Sequence, residues 1–211
     1  GARLDSRDKQ RMAQINERLA ALGTQFAQNV LADEQAYRLV LKGERDLAGL
    51  PEFVRAASAR TASDLGLPGC HAISLSRSSI EPFLQFSTRR DLREQAFHAW
   101  AKRGENGNDN DNRAIATETI ALRAERARLL GYRTFADFRL DDAMAKTQSA
   151  VRGLLDEVWS AAVPQATRER ERLERFARRE GQNIRVEAWD WRHYAEKVRK
   201  AEFDLDETEI K

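Results

Sequence analysis

His193 and Glu196, near the end of the 211-residue chain, have the types and spacing of metal ligands. Three apart on a helix, they share one face. A zinc peptidase helix of the H-E-x-x-H kind needs two histidines four apart with a glutamate after the first, so that metal and general base sit together. The chain has three histidines, His71, His98 and His193, and no two are close enough. The inverted order H-x-x-E-H would need a histidine at position 197, where Lys197 stands. His193 and Glu196 supply two ligands at most. They read as a surface hydrogen-bonded pair rather than as half a site.

Other chemistry is also thin. Cys70 is the single cysteine, so no internal disulfide can form and a reducing compartment is the simpler setting. No motif surrounds it, and a small half-buried residue beside a turn is the expected role. Asp141 and Asp142 are adjacent and so point to different helix faces, which argues against shared acid/base work. The chain contains neither G-x-S-x-G nor a glycine-rich phosphate loop. The acidic stretch "GENGNDNDN" (104–112) fails as a calcium loop. Counted from Asp109, the required glycine and glutamate positions hold Ala114 and Ile120.

Composition bounds the remaining classes. Charged residues make up 33% of the chain, yet the net charge is only +2. Mean hydropathy is -0.68. Opposite signs alternate locally, as in "RERERLERFARREGQ", which describes solvated helix faces and not a nucleic-acid footprint. There is no apolar run long enough to span a membrane, and "GARLDSRDKQ" (1–10) does not read as a signal peptide, since it lacks an apolar h-region.

The elements that would position these residues are mostly helices. Met12, Ile15, Leu19, Leu22 and Phe26 recur at three and four, predicting a helix over about 6–32. Fewer than four clean heptads argue against a dimeric coiled coil. "AYRLVLKG" (36–43) and "HAISLS" (71–76) alternate and predict two short strands that pair as a ribbon. A helix lies between them, with Pro51 near its start and Gly66 at its end. Ser78 or Ser79 is expected to cap a helix through Phe86, with Pro82 in its first turn. A helix follows with Leu92, Ala96, Ala99 and Trp100 inward, ending by Gly104. Asp111 or Asn112 should cap the next, marked by Ile115, Thr119, Leu122, Arg126 and Leu129, with Gly131 just past its end. Thr134 should cap a helix over 134–146. A long helix then starts at Thr147 or Ser149 and carries Val151, Leu154, Leu155, Val158, Trp159 and Ala162 on one face. Pro164 should kink it. Asp190 is the expected cap of the last helix. The fold class is mainly α, a multi-helix lobe with one or two short strands.

Several phrases, in order, resemble the thimet oligopeptidase and neurolysin family of zinc metallopeptidases, and most of all its bacterial peptidyl-dipeptidase (dipeptidyl carboxypeptidase) branch. They are "RDLREQAFHAW" (90–100), "RGENG" (103–107), "DNRAI" (111–115), "LRAERARLLGY" (122–132), "FADFRLDDAMAKT" (135–147) and "WDWRHYAEKVRKAEFDLDE" (189–207), then "IK" (210–211). The resemblance implies a large two-lobed helical peptidase that cleaves short peptides inside a deep channel. Its zinc helix and further glutamate would come after Lys211. Residues 1–211 would then be a single helical fragment of the channel wall, inactive alone, cytoplasmic, with no catalytic, cofactor-binding or metal residue of its own. Zinc and short peptide substrates would belong to the parent protein. Trp189, Tyr194 and Phe203 would lie on faces left bare by the missing core, promoting self-association. The end "LDETEIK" reads as a cut. The alternative is a free-standing helical binding module without enzymatic activity.

Overall fold

The structure, a computed structural model, describes residues 4–203. Among them are eight helices and one two-stranded antiparallel sheet, so the chain is mainly α. The end "LDETEIK", beginning at residue 205, lies outside the described residues. The chain divides into two compact units. One takes the chain up to Leu31 together with Gly104–Pro164, and the other takes Ala32–Arg103 together with the chain from Gln165 on.

The first unit holds most of α1 (Ser6–Ala36), α5 (Arg113–Leu129), α6 (Phe135–Leu140) and the first half of α7 (Gln148–Arg179). Ile15 and Leu22 of α1 are fully buried, while Phe26 at the end of the same stripe is exposed. Two ion pairs, Arg11–Glu125 and Arg18–Glu118, join α1 to α5 at 2.6 Å each. Asn112 occupies the N-cap position of α5 without a side-chain cap. Its amide instead donates to Phe26 O at 3.0 Å and accepts from Asn29 at 2.9 Å. Asp111 takes over the capping work, accepting from the N–H groups of Arg113 and Gly107.

Gly131 closes α5 with φ +84°, and the N–H of Tyr132 reaches back to Ala127 O, as a Schellman end requires. Thr134 caps α6 through Asp137 N, as its sequence position suggests. The helix is shorter than expected and stops at Leu140, because residues 141–147 turn, with Lys146 in the left-handed region (φ 58°). α7 then runs continuously through Pro164 for 32 residues.

The second unit holds β1 (Leu39–Leu41), α2 (Glu52–Asp64), β2 (His71–Ile73), α3 (Arg77–Phe86), α4 (Arg90–Ala101), the rest of α7 and α8 (Ala188–Phe203). The predicted ribbon forms, with Leu39 opposite Ile73 and Leu41 opposite His71. Its apolar side meets Leu47, Val54, Ile80, Phe83 and Leu84 in one core. A second core gathers Leu173, Ala177, Val186, Tyr194 and Val198. The cap of α3 is Ser76, not Ser78 or Ser79, so Pro82 falls past the first turn. Ser79 Oγ lies inside the helix and accepts the N–H of Ser74 at 3.1 Å.

Candidate functional site

α8 presents His193 and Glu196, the pair with ligand-like spacing, to α3 within the second unit. Neither is arranged as a metal ligand, and they do not bond to each other. Both engage Gln85. His193 Nδ1 lies 3.1 Å from the Gln85 carbonyl, so this nitrogen carries the proton and donates. Glu196 accepts from the Gln85 amide at 3.0 Å and from Arg199 at 2.8 and 2.9 Å. The expected surface hydrogen-bonded pair is therefore corrected on two points: the two side chains meet Gln85 and not each other, and His193 is buried, 5% exposed. Burial, then the charges of Arg93 and Lys197, pushes the imidazole down to about 3. It is neutral at physiological pH.

The strongest polar feature nearby was not legible in the sequence. Asp190 is fully buried and takes charge from two arginines of α4. Arg90 reaches it through Nε at 3.1 Å and Nη2 at 2.9 Å, and Arg93 through Nη2 at 2.8 Å. Arg93 is only 2% exposed and spends its other donors on Ser87 O at 2.7 Å and Trp189 O at 3.2 Å. Asp190 is not the cap of α8. It is the third helical residue and reaches back 3.2 Å to the N–H of Glu187, the acidic half of a capping box. Burial opposes its ionisation, but the hydrogen bonds from Arg90 and Arg93 outweigh it and hold the carboxyl below its usual range. A guanidinium stays charged at any ordinary pH. The node is thus an ionised, hydrogen-bonded clasp between α4 and α8. A polar recess of about 400 Å³ opens beside it, lined by His193, Tyr194 and Lys197. Lys197 is paired there with Glu180 at 2.6 Å.

The remaining candidates are scattered. His98 lies on the exposed side of α4, 4.0 Å from Glu94 and against the Trp189 ring. His71 is in β2, and Cys70 is half-buried beside the turn that precedes it. Asp141 accepts from the Tyr132 hydroxyl at 2.7 Å, while Asp142 is exposed. No group of three or more His, Cys, Asp or Glu side chains that could hold a metal ion occurs among the described residues. The Glu196 carboxylate is spent on Gln85 and Arg199, so it offers no free ligand beside His193, whose Nδ1–H bond to a carbonyl is one a metal-bound imidazole would also make. No described helix is long and apolar enough to cross a membrane.

Comparison with known proteins places the chain in a class of enzymes. Residues 83–211 match peptidase family M3, and the chain belongs to that family. It is 34% identical over 211 residues to dipeptidyl carboxypeptidase of Escherichia coli, covering all of this chain and 31% of that protein. It is 31% identical over 215 residues to oligopeptidase A of Haemophilus influenzae, again with full coverage of this chain and 31% of the relative. The organellar oligopeptidase A of Arabidopsis thaliana is 29% identical over 219 residues, with 27% of it covered. The family resemblance carried by the phrases at 90–147 and 189–211 is thereby borne out. The chain spans about a third of the length of these relatives.

Proposed function

We propose that this chain is the non-catalytic, channel-wall part of a zinc-dependent oligopeptidase or peptidyl-dipeptidase that hydrolyses short peptides. The observation that carries this reading is the alignment of the whole chain with only 31% of a dipeptidyl carboxypeptidase at 34% identity. In the parent enzyme the metal would polarise the scissile carbonyl and activate water. The residues of this chain would shape access to that site and would not touch the metal. The buried clasp supports a structural role, because Arg90 and Arg93 of α4 both donate to Asp190 of α8. We place the protein in the cytoplasm, where a single cysteine stays reduced.

An exposed apolar row on α7 also supports the reading. Leu154, Leu155, Val158 and Trp159 are each more than half exposed. Apolar patches of this kind mark surfaces that pack on something else. The expected bare face at Trp189, Tyr194 and Phe203 is corrected: Tyr194 is buried and Trp189 half-buried, leaving Phe203 exposed.

The test is direct. The 211-residue chain is purified, dialysed, analysed for zinc and incubated with a fluorogenic short peptide. No bound zinc and no cleavage are expected. Stoichiometric zinc, or metal-dependent cleavage, would overturn the assignment.

A further inference from the structure

The first unit carries a cavity, whereas His193 and Asp190 belong to the second unit. It has a volume of about 860 Å³ and is lined by residues of α1, α5 and α6. Leu19, Leu22 and Phe26 come from α1, and Phe135 and Phe138 from α6. Three arginines join them, Arg123 and Arg126 of α5 and Arg139 of α6, and no Asp or Glu lines the space. A cavity of this size with an apolar floor and a few polar groups has the proportions of a ligand site.

The charge in it is unspent. Four other arginines of this unit are matched to carboxylates: Arg11 to Glu125, Arg18 to Glu118, Arg113 to Asp111 and Arg133 to Asp137. Those pairings engage the acidic side chains that flank the cavity residues. Arg123 and Arg126 instead rest on aromatic rings, with guanidinium carbons 5.4 Å from the Phe135 centroid and 5.5 Å from the Phe138 centroid. A guanidinium stacked on a ring keeps its edge donors free for an anion. Arg126 Nε is buried with no hydrogen-bond partner. A buried donor without an acceptor is costly, and a bound carboxylate would relieve it.

We propose that this cavity binds an acidic peptide segment, with two separate carboxylates on Arg123 and Arg126 and an aromatic or leucine side chain against the floor. A peptide fits better than a single-headed amphiphile because the two guanidiniums are held on two different rings. One head group would satisfy one of them. Arg139 adds charge from α6 and favours a ligand with several acids. This goes beyond peptide hydrolysis, since it assigns a docking site on a unit that holds none of the zinc chemistry.

Calorimetric titration of the full 211-residue chain tests the proposal. The probe is the capped hexapeptide Asp-Phe-Glu-Asp-Leu-Glu, with its Asn/Gln counterpart and laurate as controls. The acidic peptide should bind, more weakly as salt rises. The Asn/Gln peptide should bind at least about tenfold more weakly. Arg123→Gln and Arg139→Gln, on exposed side chains that leave the fold intact, should each weaken the acidic peptide several-fold. Arg168→Gln, outside the cavity, should leave it unchanged. Equal binding of the neutral peptide, binding of laurate in place of the peptide, or no heat up to about 1 mM peptide would overturn the proposal. So would a dimer that Arg123→Gln dissociates, because the cavity would then be filled by a second copy.

Discussion

Arg93 and Asp190 lie 97 positions apart in sequence and meet at 2.8 Å, with side chains 2% and 0% exposed. A buried pair of this kind ties two helices together, and losing one member strands the other in a low-dielectric setting. Asp190→Leu should therefore lower unfolding stability by about 3–5 kcal/mol, read from urea melts. The double variant Arg93→Met with Asp190→Leu should recover a large part of that loss, because it leaves no unpaired charge of the couple. Single and double variants of equal stability would contradict the clasp.

The same region sets an acid limit. The folded His193 titrates at about 3, below its unfolded value of 6.5. Between these values the unfolded chain binds a proton that the folded chain does not, so stability falls as pH drops through this window. From about pH 7 to about pH 5 the loss should be ~2 kcal/mol. Asp190 has a depressed carboxyl, and its contribution is lost only further down, below the usual carboxylate range. Urea melts of wild type and His193→Gln across this window separate the two. The variant should lose less stability above pH 5 than the wild type, and parallel curves would remove His193 as the cause.

Two glycines test backbone constraint against crowding. Gly49 has φ +81°, and a Cβ there would sit 2.5 Å from Phe86 O and 2.7 Å from Thr88 Cγ2. Gly66 has φ +74° with open space around it. Gly66→Ala should cost about 1 kcal/mol, from conformation alone. Gly49→Ala should cost more than about 2 kcal/mol, because backbone must also move. Thermal melts of the two variants give the comparison, and equal losses would contradict it.

The bare row on α7 predicts behaviour in solution. At high concentration the 211-residue chain should self-associate in sedimentation or light scattering. Leu155→Glu with Trp159→Glu should restore the monomer, since both side chains are exposed and neither is in a core. A clean monomer for the wild type at high concentration would count against the role given to this face.

The sequence was most legible where one local rule decided the outcome. The alternation around Leu39 and Ile73 foretold the ribbon, and Gly131 and Thr134 marked helix ends through their own backbone and side-chain chemistry. It was least legible where a distant partner decided. Nothing near Arg93 announces that a charged residue one step off the apolar stripe is buried, because its partner is 97 residues away. His193 reads from the sequence as a surface residue for the same reason, since the carbonyl it meets belongs to Gln85 on another helix. The start of α3 is ambiguous in the sequence because three serines compete for one cap, and Ser79 accepts the N–H of Ser74 instead. Arg126 reads from the sequence as one member of the α5 stripe, but its place over Phe138 depends on a separate helix.

The central claim is that this chain is the non-catalytic part of a family M3 peptidase. Sequencing the transcript past codon 211 tests it most directly. The account predicts an open reading frame that continues into an H-E-x-x-H helix followed by a further glutamate. A stop codon directly after Lys211 would contradict it and favour a free-standing helical module.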